Sequence, residues 1–69
     1  MKKFNIGDRV RFDHGKLKGT GTVAGIATDL PDVATFYIVT LDEPLTLEGY
    51  EGWTACTVHH AYMERIDNA

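Results

Sequence analysis

Phe36-Tyr37-Ile38-Val39-Thr40-Leu41 is the stretch that decides the fold. Aromatic and β-branched residues dominate it, and these types suit a pleated, half-buried surface. In extended chain Tyr37, Val39 and Leu41 share one face; Phe36, Ile38 and Thr40 share the other. Two large apolar residues on the second face are unusual for a sheet wetted on one side. Phe36 and Ile38 are therefore expected to be covered by a loop or to meet another subunit. Upstream, residues 9–13 alternate in the same way. Val10 and Phe12 point inward, Arg9, Arg11 and Asp13 outward, with Gly7-Asp8 and His14-Gly15 as flanking turn signals. A further strand spans about residues 21–29. Val23 and Ile26 differ in parity, and Gly25 between them predicts a bulge that restores the inward face. Pro31-Asp32 then closes that strand with a loop.

Downstream lies the longest connection, residues 42–53. A strand over residues 54–58 follows, then one 3₁₀ turn at residues 59–62, then a last short strand at residues 63–66. No segment carries sustained helical periodicity. The expected fold is all-β: five short strands closing into a small barrel, with a 3₁₀ turn before the last strand. Its predicted interior is Val10, Phe12, Val23, Ile26, Tyr37, Val39, Leu41 and Ile66.

The chain has 69 residues, 43% of them apolar, which fits one globular domain. Its single cysteine forbids an internal disulfide, and no apolar run approaches the roughly 18 residues of a membrane helix. No signal-peptide core follows Lys2 and Lys3, so a cytoplasmic protein is expected. Serine and glutamine are absent, which excludes serine-nucleophile chemistry. A domain this small buries only about 60% of its unfolded surface. Self-association is a common remedy, and a homo-oligomer using Phe36 and Ile38 is expected.

Net charge is −3, unevenly spread: residues 1–18 carry +4 and residues 19–69 carry −7. Lys2, Lys3, Arg9, Arg11, Lys16 and Lys18 could bind a polyanion such as nucleic acid. Mutual neutralisation of the two patches on neighbouring strands is the simpler expectation, because dedicated nucleic-acid modules are usually basic overall.

Phe4-Asn-Ile6-Gly7-Asp8-Arg9-Val10-Arg11, Gly21-Thr-Val23-Ala-Gly25-Ile26, Tyr37-Ile-Val39 and Met63-Glu64-Arg65-Ile66 together resemble a small SH3-like β-barrel. The opening and closing segments are similar to the plasmid-type (type II) dihydrofolate reductases, whose barrels assemble around a shared pore. Gly-Thr-Val and Val-Thr-Leu-Asp-Glu-Pro resemble KOW and CAP-Gly modules, which bind nucleic acid or protein tails. The resemblance covers roughly residues 4–41 and 54–66. It implies an SH3-like architecture and a tendency to oligomerise; such barrels are frequent on mobile elements. The reductase pore strand, Val-Gln-Ile-Tyr, would fall on Ala55, Cys56, Thr57 and Val58, and none matches. An NADPH-dependent activity is accordingly disfavoured, no catalytic residue carries over and no cofactor is expected. The CAP-Gly signature Gly-Lys-Asn-Asp-Gly is also absent. Fold alone does not license function.

Cys56, His59 and His60 are the residues with metal-ligand chemistry. Two adjacent histidines in extended chain point to opposite faces, and His14 would have to reach in from a remote loop, so no metal is expected. Cys56 with His59 lacks the orienting acid and oxyanion donors of a nucleophile site, and is read as a small buried apolar residue. Gly19-Thr-Gly21-Thr-Val-Ala24 fits a loose dinucleotide pattern but not the required strand–helix context. Those glycines are expected to serve a tight turn between the first two strands. Tyr50 and Trp53, set among Asp42, Glu43, Glu48 and Glu51, suit a basic or proline-rich protein partner. The competing expectation, favoured by a small barrel's need for large fillers, is that Trp53 caps the open end. A non-enzymatic binding module is the best reading.

Overall fold

The computed structural model describes residues 3–66. It is an all-β fold of five antiparallel strands: β1 (Arg9–His14), β2 (Leu17–Leu30), β3 (Ala34–Leu41), β4 (Ala55–His59) and β5 (Met63–Arg65). A 3₁₀ turn, His60–Tyr62, precedes β5. Their order in the sheet is β4-β3-β2-β1-β5. The two outermost strands, β4 and β5, are thus joined by only three residues, about 6 Å of 3₁₀ rise. The sheet must curl until its two ends approach, and its interior collects the inward face of every strand.

That interior is Phe4, Val10, Phe12, Val23, Tyr37, Val39, Cys56, Val58 and Met63, with Leu17 and Leu41 packed against it. Phe12 and Met63, the largest fully buried side chains, are directly paired across β1 and β5. Each buried side chain of this size contributes about 1.5–3 kcal/mol. Tyr37 enters the core with its polar end satisfied: its hydroxyl oxygen accepts the Phe4 amide at 3.0 Å. Cys56 faces the core, as expected of a small apolar residue.

Two of the expected interior residues lie elsewhere. Ile26 is 53% exposed. The register does shift between Val23 and Gly25, and Ile26 then stands opposite the inward Tyr37. But β1 pairs with β2 only as far as Thr22, and the preceding segment holds only Val23, through Gly7 and Asp8, so among the described residues β2 beyond Val23 overhangs the core with β3 as its sole ladder partner. The bulge restores parity where there is no interior left to fill. Ile66 is half-buried outside the core cluster, and Met63 occupies the β5 position nearest the centre. The expected glycine turn is also displaced. The β1–β2 turn falls at Gly15-Lys16, and Gly19 and Gly21 sit inside β2. Gly21 is required by close packing: a methyl there would overlap the Thr40 carbonyl oxygen and lie 2.8 Å from Val39 Cγ1. Pro31-Asp32 forms the β2–β3 turn, with Asp32 at φ 64° and the Val33 amide donating to the Leu30 carbonyl at 3.0 Å. No helix among the described residues is long and apolar enough to cross a membrane.

Candidate binding surface

Between β3 and β4 the chain reads Leu47-Glu48-Gly49-Tyr50-Glu51-Gly52-Trp53, a Glu-Gly-aromatic triplet twice over. Each triplet closes a four-residue turn. The Tyr50 amide donates to the Leu47 carbonyl at 2.8 Å, and the Trp53 amide to the Tyr50 carbonyl at 3.1 Å. The third residue of each turn is a glycine at positive φ, Gly49 at 90° and Gly52 at 80°, which matches a type II turn. Tandem turns of one kind deliver Tyr50 and Trp53 to neighbouring positions. Their rings meet edge to face, 4.9 Å apart. The loop is pinched at its base, where Leu45 donates to the Trp53 carbonyl and accepts from Gly52, both at 2.9 Å.

Trp53 is 49% exposed and Tyr50 41%. Trp53 therefore lies outside the buried cluster, whose large side chains are Phe4, Phe12, Tyr37 and Met63. Glu43, Glu48 and Glu51 are exposed on the same loop, and Glu51 also accepts the Gly49 amide at 3.1 Å. Asp42 has a different role. It receives a bidentate Arg9 guanidinium at 2.7 and 2.6 Å and the Thr20 hydroxyl at 2.8 Å. These hydrogen bonds, Arg9 first, hold its carboxyl at about 2, and Asp42 in turn raises the Arg9 pKa. The pair clamps the start of the acidic loop onto β1 and β2.

The basic N-terminal set is dispersed and partly spent. Arg9 serves Asp42, and Arg11 pairs with Glu64, Nε to Oε1 at 2.8 Å. Lys3, Lys16 and Lys18 are exposed and form no ion pair among the described residues; Lys2 lies outside the described residues. Lys18, Gly19 and Thr20 line two surface grooves of about 490 and 480 Å³. One runs beside Arg11, Tyr62 and Glu64, the other beside Asp42, Glu43 and Pro44. Both grooves mix charges of either sign.

The histidines gather where the sequence predicted separation. His59 and His60 stack at 4.4 Å, because His59 ends β4 and His60 opens the 3₁₀ turn, so the extended-chain alternation does not apply. His59 Nδ1 accepts the Ala61 amide at 3.0 Å and caps the turn; buried His60 Nδ1 accepts the Thr35 amide at 3.1 Å. Phe36 is half-buried with its ring edge-on to His59 at 5.0 Å. Tyr62 stacks on His14 at 4.3 Å. This ring cluster left no periodic trace, since its members come from four elements. Among the described residues no three His, Cys, Asp or Glu side chains converge as a metal site. Burial pushes the Cys56 thiol pKa up, opposite to what activates a nucleophile.

No protein-family model matches the chain, and neither does any curated protein or solved structure.

Proposed function

We propose that the chain is a small, non-enzymatic SH3-like module that captures a basic, extended peptide segment on Tyr50 and Trp53. The observation that carries this reading is the exposed, edge-to-face aromatic pair on a loop whose free charges are all carboxylates. A lysine or arginine over an indole face gains about 0.5–2 kcal/mol, more as water is excluded. Glu43, Glu48 and Glu51 add attraction that raises association rate and rejects acidic partners. The two glycine turns fix the rings in advance, which reduces the ordering cost on binding.

The test uses the chain's sole tryptophan as its own probe. Titrating a lysine- and proline-rich peptide should change Trp53 fluorescence in a saturable, salt-sensitive way. Trp53→Ala, followed by calorimetry, should lose at least about tenfold in affinity. Its far-UV circular dichroism should be unchanged, because the side chain lies outside the core. Equal binding of an acidic peptide, or undiminished binding by Trp53→Ala, would remove the proposal. Loss of fold in Trp53→Ala would return Trp53 to a structural role.

A further inference from the structure

Among the described residues, β4 ends the sheet and pairs only with β3. The Leu41 amide donates to the Thr54 carbonyl at 2.8 Å, which fixes the phase of the ladder. In an antiparallel pair, hydrogen-bonded and non-bonded positions alternate. Thr54, Cys56 and Val58 therefore aim their backbone groups at β3. Ala55 and Thr57, both exposed, aim N–H and C=O away from the sheet. Natural edges of this kind are guarded by charges, proline, bulges or extreme shortness. The opposite edge, β5, is three residues long and carries Glu64 and Arg65. β4, Ala55-Cys56-Thr57-Val58-His59, has no Lys, Arg, Asp, Glu, Pro or Gly, and its register with β3 is unbroken.

We infer that β4 is a self-pairing edge, and that its occupant is β4 of a second copy, antiparallel across a two-fold axis. A register with Ala55 opposite Thr57 of the other copy satisfies the outward N–H groups and carbonyls of these two residues on both copies with four hydrogen bonds. Cys56 then faces its own copy at the axis, in a non-hydrogen-bonded pair with Cα atoms about 4.5 Å apart. On the outer face this aligns Ile38, Thr57, then Ala55 and Thr40 of the second copy, since Ile38 pairs with Thr57 and Thr40 with Ala55. The row is free of charge, so two copies of a chain with net charge −3 meet without like charges at the contact. A second copy is favoured over an unrelated strand because the same two residues supply both halves of the bonding pattern, as a two-fold interface demands. Ile38 thereby lies in the strand next to the contact, and the edge itself makes it. The inference does not depend on the peptide-binding loop.

Sedimentation velocity over a concentration series should show the particle moving towards twice the 7.7 kDa chain mass. In the dimer the amides of Ala55 and Thr57 should gain hydrogen-exchange protection that is absent on dilution. Thr57→Lys puts a cation beside the axis on each copy; Thr57→Pro deletes an N–H that no β3 bond uses. Each should raise the dissociation constant at least about tenfold, with Lys16→Glu as the unaffected control. If Thr57→Pro unfolds, Thr57→Lys decides. A wild-type chain that stays monomeric at its solubility limit overturns the inference. So does a dimer unaffected by Thr57→Lys, or one whose Ala55 and Thr57 amides exchange freely.

Discussion

Gly21 shows how a single residue can be conspicuous in a sequence while its purpose stays hidden. Its spacing from Gly19 reads as a turn or a phosphate loop, and it is neither. It lies where β2 crosses closest to the Thr40 carbonyl oxygen, so a side chain has no room. The clash is with backbone, which cannot swing aside as a flexible side chain would. Gly21→Ala should cost about 1–3 kcal/mol, the usual range for overpacking, read as a lower urea midpoint at unchanged slope. Gly19 provides the contrast, since a methyl there would only touch Phe12 at 3.5 Å. The inward residues Val10, Phe12, Val23, Tyr37 and Val39 were legible because alternation is intrinsic to a strand. Gly21 was not, because closeness to another strand leaves no mark on local sequence. Phe4 was missed for a related reason: it lies in no regular strand and is recruited by the Tyr37 hydroxyl.

Elements differ in how far their own residues dictate them. β1 and β3 follow directly from alternation. β2 is longer than the expected residues 21–29, chiefly because residues 17–20 continue the ladder with β1, while its overhanging residues 24–30 are held by pairing with β3 and not by burial. The 3₁₀ turn was legible from the short gap before Met63, but the stacking of His59 on His60 was not, since it depends on where β4 stops. The loop between β3 and β4 is encoded in its own residues through the repeated Glu-Gly-aromatic triplet. A non-glycine residue at φ near 80–90° is strained by about 1–2 kcal/mol. Gly49→Ala and Gly52→Ala should therefore each loosen the loop. A methyl meets no atom within 4 Å at either site, so the change acts through backbone conformation alone. Both variants should weaken capture of a basic peptide several-fold while the thermal midpoint of the barrel hardly moves. Full affinity in both would show that the turns do not preorganise the aromatic pair. A matching collapse of the midpoint would make the loop part of the core's stability.

At the scale of the whole molecule, the separation of charge along the chain becomes a set of ties between distant segments. Arg9 of β1 holds Asp42 at the acidic loop, Arg11 of β1 holds Glu64 of β5, and Arg65 of β5 holds Asp8 at 2.9 Å. Arg65 also donates to the Lys3 carbonyl at 3.2 Å and lies 5.4 Å from the Phe4 ring centroid. The only cation after residue 18 thus fastens the closing strand to the opening segment. Asp8 is held below the usual carboxylate range, first by the Asn5 amide and then by Arg65, and Asp42 is held at about 2. An unfolded aspartate titrates near about 3.9. The folded state binds fewer protons than the unfolded state between these values, so stability falls as the solution is acidified. The contribution is complete above the unfolded value and, for Asp42, is lost as pH drops through about 2. Urea unfolding at steps between about pH 5 and about pH 2 should therefore show a declining midpoint. In Asp42→Asn the midpoint should start lower at neutral pH and decline less steeply, because the proton-linked group is gone. Added salt should shrink the difference between the two chains, since these pairs lie at the surface. An Asp42→Asn chain as stable as wild type at neutral pH, with an identical acid profile, would mean that the loop clamp contributes nothing.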